Sequence, residues 1–443
     1  MSYLDNILFA IILIIGIGYF ISNIKKIYRN INLGIDINRK DNSKERWKNM
    51  VMIALGQSKM VKRPIAGILH IIVYVGFVII NIELIEIIID GLFGTHRIFA
   101  FLGSFYDVLI ASFEILALLV IVAVIVFWIR RNTIKLKRFV NPDLKGFPKS
   151  DANYILYFEL VLMFLFLFMN ATDFHLQYVS GGYSHFIQAG SFPVSQFLAP
   201  LFNGMNNDSV AMLSELFWWL HIVGILIFMN YLYFSKHLHI LLAFPNTYYA
   251  NLKPLGEFDN LEAVTKEVKM MMDPNADPFA APAPTEGEVP AKFGASDIQD
   301  LNWVQLLNAY TCTECGRCTS VCPANITGKK LSPRKIMMDT RDRMEEVGKN
   351  IDANKGIFVA DNKTLLNDYI TPEELWACTS CNACVEECPV SISPLSIIMD
   401  MRRYLVMEQS AAPTTLNAMM TNVENNGAPW PYNQQDRLNW KNE

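Results

Sequence analysis

Cysteine is missing from most of this chain: of its 443 residues, none before Cys312 or after Cys388 is a cysteine, and all eight lie between those limits. Charge is scarce as well. Asp, Glu, Lys and Arg make up 18 %, where a soluble chain carries about a quarter. The charges nearly cancel, to a net −4, which leaves no basic footprint for nucleic acid. No glycine-rich nucleotide loop is present, because Gly16-Ile17-Gly18 falls inside an apolar run. No basic segment precedes that run and Lys25-Lys26 follow it, the wrong polarity for a cleaved signal peptide. These absences exclude a purely soluble enzyme, a disordered regulator and a disulfide-stapled secreted module.

What is present is apolar: 52 % of the residues, with a mean hydropathy of +0.23. Five stretches approach the roughly 20 residues that a spanning helix needs: Ile7–Ser22, Pro64–Ile89, Phe105–Ile129, Asn153–Ala171 and Glu215–Phe244. Residues 1–250 are therefore expected to form a membrane domain of five transmembrane helices. Residues 23–63 hold eleven Lys or Arg and residues 130–149 hold seven, whereas 1–22 and 171–214 hold none and 90–104 only Arg97. The positive-inside rule then puts the N-terminus outside the cytoplasmic membrane and everything after Phe244 in the cytoplasm. Trp218, Trp219 and Tyr157 fit either an interfacial belt or a cofactor contact.

Residues 251–295 read as a linker, Pro- and Ala-rich over 273–293, where neither helix nor strand is expected. Residues 296–410 carry two copies of one motif. Cys312, Cys315, Cys318 and Cys322-Pro323 form the first; Cys378, Cys381, Cys384 and Cys388-Pro389 form the second. Both follow C-x2-C-x2-C-x3-C-P, the run that binds clusters in two-cluster ferredoxins. Three thiolates two residues apart wrap one cubane, and the fourth leads into a helix and reaches the other cluster. One [4Fe–4S] cluster is thus expected on Cys312, Cys315, Cys318 and Cys388, and a second on Cys378, Cys381, Cys384 and Cys322. Zinc prefers paired C-x2-C without a third cysteine in step, and a reducing compartment disfavours disulfides. The segment between the motifs has helical phasing, as in Lys335–Val347. The expected fold is all-α: a five-transmembrane-helix bundle followed by a cytoplasmic α-helical dicluster ferredoxin domain, with a polar tail over 411–443.

The seven histidines, at 70, 96, 175, 185, 221, 237 and 239, all lie in the membrane half. An ionisable residue within a span is a functional candidate. His70 lies about 9 Å into the second span and His239 at nearly the same depth in the fifth, so the pair could ligate one haem from opposite sides. His221, eighteen residues before His239, would share its helix face about 27 Å away, which suits a second, outer haem. His237 points to nearly the opposite face; His96 or His175 could complete the outer haem, although these two and His185 read mainly as packing or interface residues. Position Ile80/Asn81, where the outer haem's partner on span two would fall, has no histidine. Glu83, Glu86, Glu114 and Glu159 also lie within spans; Glu83 and Glu86 approach the outer face, where a quinone headgroup could exchange protons, unless they only snorkel or pair between helices.

These residues together resemble a known family. Five spans with histidines on the second and fifth are similar to the haem-b γ subunit of respiratory nitrate reductases, fused to a domain similar to the small iron–sulfur subunit of heterodisulfide reductases. Ser235-Lys236-His237-Leu238-His239, followed by Pro245, Leu252, Lys253 and Pro254, resembles the end of the membrane part in fused iron–sulfur oxidoreductases. The likeness covers about residues 1–410. It implies electron transfer between a cytoplasmic partner, such as electron-transfer flavoprotein or an iron–sulfur subunit with CCG domains, and membrane quinone. The chain departs from the family in lacking the second histidine on span two and the CCG domains beyond the ferredoxin, so substrate handling is expected on another polypeptide. Two other functions compete: a haem-free iron–sulfur anchor that reduces quinone directly, and a membrane-tethered redox sensor, for which the short polar segment with Pro429 and Pro431 offers no output domain.

Overall fold

The computed structural model describes residues 3–179, 186–274 and 292–442; His185 and most of the Pro/Ala stretch lie outside them. Among the described residues the fold is all helical, without a strand. Five helices are long and apolar enough to cross a membrane: Tyr3–Ile31, Pro64–Phe93, Ser104–Asn132, Phe147–Val179 and Asn207–Phe234. Proline at the first turn starts the second helix, and Gly94, at φ 68°, ends it by donating its N–H to the Asp90 carbonyl. The outward faces expose Ile7, Ile11, Ile14, Ile65, Ile68 and Phe77, which lipid tolerates and water does not.

The spans outrun their apolar cores, and the excess has a use. A 29-residue helix is about 44 Å long against a hydrocarbon core of about 30 Å. The last turns of Tyr3–Ile31 therefore leave the bundle, and Ile27 and Ile31 join one hydrophobic core with Leu306, Leu307, Met344 and Val347 of the C-terminal half. The fifth span is shorter than the sequence suggested. Its helix closes at Tyr231, passes through tight turns at Leu232–Phe234 and Lys236–Leu238, and restarts as His239–Tyr248. Ser235 makes the break by holding an extended backbone and accepting the His237 N–H.

The C-terminal half packs directly on the bundle. Asn30 donates to the Tyr310 hydroxyl at 2.9 Å, and the Ile35 backbone bridges Leu301 and Trp303. A Cβ on Gly34 would lie 2.6 Å from the Leu301 carbonyl oxygen, so only glycine permits that approach. Both basic connecting segments meet this half: in the first Arg63 pairs with Glu387 at 2.6 Å, Lys62 with Glu386 and Arg29 with Asp352, in the second Asp143 pairs with Arg334 at 3.2 Å, and beyond the fifth span Lys236 pairs with Glu314. The C-terminal half thus sits on the side of the bundle that carries both basic segments.

Within it, the long helix Pro333–Ala353 occupies the predicted helical stretch and carries Arg343, whose side chain is fully buried. Its guanidinium donates to Asp297 at 2.8 and 3.1 Å, to Asp361 at 2.5 Å and to the Lys363 carbonyl at 2.7 Å. Removing one member of such a network strands the rest. Arg343→Ala is expected to lower the stability of this half by about 3–5 kcal/mol, read as a lower melting temperature and faster proteolysis after residue 292 than within the spans. Among its described residues the expected linker contains the helix Glu262–Met272, and the expected tail contains the helix Thr414–Asn426, which buries none of its residues.

Candidate metal centres

Each cysteine run is shaped by the same local rule. The helix Trp303–Thr311 stops at Cys312, a loop follows, and the short helix Arg317–Val321 leads to Cys322-Pro323. In the second copy Pro372–Trp376 precedes Cys378, and Ala383–Glu387 leads to Cys388-Pro389. Both loops take left-handed backbone at matching places. Glu314 (φ 53°) and Gly316 (φ 70°) in the first correspond to Ser380 (φ 57°) and Asn382 (φ 58°) in the second. Such a turn curls successive N–H groups toward a common centre, the concavity that suits an anionic cluster. Ser380 donates to the Cys378 sulfur at 3.4 Å and Ile392 to that of Cys388 at 3.3 Å.

Two cavities result, and each draws on both motifs. The first, about 370 Å³, is lined by Cys312, Cys315, Cys318 and Cys388; the second, about 320 Å³, by Cys378, Cys381 and Cys322. Cys384 touches both, being on the short helix between them. No cysteine is paired in a disulfide, and only Cys381 is exposed. Burial pushes the Cys312 and Cys384 thiols up to about 12 and Cys388 up to about 11. Such thiols ionise only against a bound cation. Among the described residues no three His, Cys, Asp or Glu side chains converge closely enough for a single ion. Sulfur donors spread around a volume suit a cubane and not zinc.

Beside the first loop, the membrane half supplies histidines. The His70 and His239 rings stand 6.4 Å apart, centroid to centroid, with planes at 42°. His239 Nδ1–H donates to the Lys236 carbonyl oxygen at 3.1 Å, which leaves Nε2 as the ring's free lone pair. His70 Nδ1 is buried without a hydrogen-bond partner. His221, buried and with its Nδ1 unpartnered, lines a larger cavity of about 780 Å³. Ile80, Asn81, Glu83, Glu159 and His237 line it too. The eighteen-residue arithmetic between His221 and His239 therefore does not hold, since the helix is broken between them. His237 consequently shares His221's cavity instead of facing away.

The comparisons with known proteins address the cysteine half most directly. A family model described as a 4Fe-4S dicluster domain matches residues 311–392. Along most of its length the chain is 29 % identical to a probable iron-sulfur-binding oxidoreductase, FadF, of Bacillus subtilis, with 99 % of this chain and 61 % of that protein covered. It is 25 % identical to an EtfAB:quinone oxidoreductase of Syntrophomonas wolfei over 92 % of this chain and 55 % of that one. A probable membrane-anchored ferredoxin of Chromohalobacter salexigens is 36 % identical over 34 % of this chain and 24 % of its own. The chain thus spans less than two thirds of the curated relatives it matches along its length. No solved structure matches.

The dicluster domain is anchored at its first loop. Burial alone would raise the Glu314 carboxyl, but Lys236 and Arg341 (2.7 Å) outweigh it and hold the group below the usual range. Glu314 thereby fastens the Cys312–Cys315 turn to the segment that carries His239. At the opposite end of the bundle lies a polar cluster that sequence reasoning did not assemble. Arg97 is buried and donates to Asp173 at 2.9 Å, Asn170 at 2.7 Å and Tyr106 at 3.3 Å. Tyr106 in turn donates to Glu86 at 2.8 Å, and His96 stands 3.4 Å from Asp173. Glu114 accepts the Val194 and Ser195 N–H groups. His175 is buried on the adjoining turn. The available signal was Arg97 itself, the lone basic residue among buried intramembrane acids. Trp218 and Trp219 pack on Phe9, at 5.3 and 6.1 Å between ring centroids, so they serve helix contact.

Proposed function

We propose that this chain is a membrane electron-transfer subunit linking a redox partner, on the side of the two basic segments, to membrane quinone. That side is the cytoplasm on the charge bias, with the N-terminus outside. Cys312, Cys315, Cys318 and Cys388 would hold one [4Fe–4S] cluster; Cys378, Cys381, Cys384 and Cys322 would hold the other. His70 and His239 would hold a b-type haem. These groups, when bound, carry single electrons. The residues do the rest: backbone turns place the thiolates, Lys236 fixes the His239 tautomer, and Glu314 keeps the two halves in register.

The observation that carries this reading is the contact between the first cysteine cavity and the histidine segment. An imidazole nitrogen stands about 2 Å from its metal, so two rings across one iron stand about 6 Å apart; the His70–His239 spacing of 6.4 Å meets that requirement. The cavity at His221 favours a different occupant. Its lining sets Glu83 and Glu159 beside His221, and the second imidazole there, that of His237, stands 3.7 Å from Glu159. His221, Glu83 and Glu159 can instead exchange protons with a quinone headgroup. The similarity to an EtfAB:quinone oxidoreductase supports electron-transfer flavoprotein as the donor, and a separate CCG-type iron–sulfur subunit is the other candidate.

The test is quinone reduction by purified full-length protein with reduced electron-transfer flavoprotein, alongside iron, acid-labile sulfide and a reduced-minus-oxidised spectrum. Cluster-dependent turnover with b-type bands is expected. Turnover without those bands would point to the haem-free anchor. Intact clusters with no turnover from any soluble donor would favour the sensor.

A further inference from the structure

The two cysteine cavities are alike in sulfur donors and unlike in charge. Arg317 and Arg334, 3 % and 1 % exposed, line the first cavity together with Glu314, whose negative charge is taken up by Lys236 and Arg341. Beyond its cysteines, the second is lined by neutral side chains such as Leu331, Thr379, Asn382 and Ile398. Arg334 donates through its terminal nitrogens to the Arg138 carbonyl at 2.8 Å and to Asp143 at 3.2 Å. Its Nε–H is buried and takes no protein acceptor. Arg317 spends its terminal nitrogens on the carbonyls of Lys59 and Met60, both at 3.2 Å, so no carboxylate neutralises it there. Arg402, the cation beside the second cavity, stacks on Trp376 and donates to the Leu375 and Cys378 carbonyls, outside the lining. A donor this buried is seldom left without a hydrogen-bond acceptor in a folded protein.

We infer that Arg334 and Arg317 set the two iron–sulfur sites at unequal potentials, the site of Cys312, Cys315, Cys318 and Cys388 above the other, so that electrons settle on the membrane side. This rests on the reading that the cavities hold [4Fe–4S] clusters. Reduction adds one negative charge to a site without a proton or a new bond. A buried cation in the lining favours the extra charge. One electron lost by the outer site is one gained by the inner, and the flavoprotein-class donor and quinone acceptor proposed above balance the sequence. The exposed Cys381 marks the second site as the one a soluble partner reaches. The fold would then direct flow from partner to membrane.

The experiment is an EPR-monitored redox titration of the full-length protein in detergent, with signals assigned by a water-soluble dysprosium chelate, which relaxes the site under Cys381 more strongly. The higher-potential wave is expected to be the chelate-protected one. Arg334→Gln should lower that site's reduction constant tenfold or more, about 59 mV for one electron, and leave the other wave in place. Asp143→Asn breaks the same loop contact but keeps the cation, and should not lower the wave. If Arg334→Gln loses the domain, Arg317→Gln should show the same selective fall. A chelate-accessible higher wave, or equal shifts of both waves, overturns the inference. Wild-type protein free of iron and sulfide overturns instead the cluster reading beneath it.

Discussion

Cys388→Ser, a change in the second motif, is expected to extinguish the iron–sulfur signal of the first site and spare the second. Cys322→Ser should do the reverse. Each variant should retain about half the iron and acid-labile sulfide of the parent, because one cubane depends on each exchanged thiolate. The reason is geometric. Cys388 lines the first cavity with Cys312, Cys315 and Cys318, whereas Cys322 lines the second with Cys378 and Cys381. Each fourth cysteine sits just after a short helix, and that helix carries it across to the neighbouring loop. Serine is nearly isosteric, so a fold defect does not explain a selective loss. If Cys388→Ser removed the site that the dysprosium chelate reaches, each motif would be closed on itself and the crossed assignment would be wrong.

His239→Ala and His70→Ala are each expected to abolish the b-type reduced-minus-oxidised bands while leaving both iron–sulfur signals. No other imidazole would replace either residue in holding the proposed haem: His237 is nearby, 5.4 Å from His239 by ring centroid, but it faces the larger cavity with His221 and Glu159. Lys236 holds His239 by its carbonyl oxygen, so Nε2 is presented at a fixed angle. His221→Ala should keep the bands and cut quinone reduction at least tenfold, the loss expected for a proton-transfer group. Loss of the bands in His221→Ala, with retention in His239→Ala, would move the haem to the other cavity.

Some of this was legible because it is local. Runs such as Pro64–Ile89 announce a span whatever surrounds them, and the structure extends that helix only to Phe93. Hydropathy ends the first span at Ser22, yet its helix continues to Ile31, since Ile27 and Ile31 bury against another part of the chain. Hydropathy cannot see a partner hundreds of residues away. Hydropathy carries the fifth span too far for a related reason: Leu232–Phe234 and Leu238–Phe244 are apolar, and composition does not report that Ser235 breaks the helix between them. The helix arithmetic built on that continuity misplaced His237.

The sequence by itself determined the elements and the chemistry: five apolar helices, eight thiols in two runs of identical spacing, and histidines confined to the membrane half. Those follow from periodicity and from ligand spacing along a few residues, which covalent geometry largely fixes. Only the tertiary structure decided what meets what. It seated the dicluster domain on the basic side of the bundle and brought His70 within reach of His239. It also buried Arg334 against one cysteine cavity and not the other. Such pairings join residues far apart in the chain, and their energies depend on burial and on unshared hydrogen-bond groups, which exist only once the chain has packed.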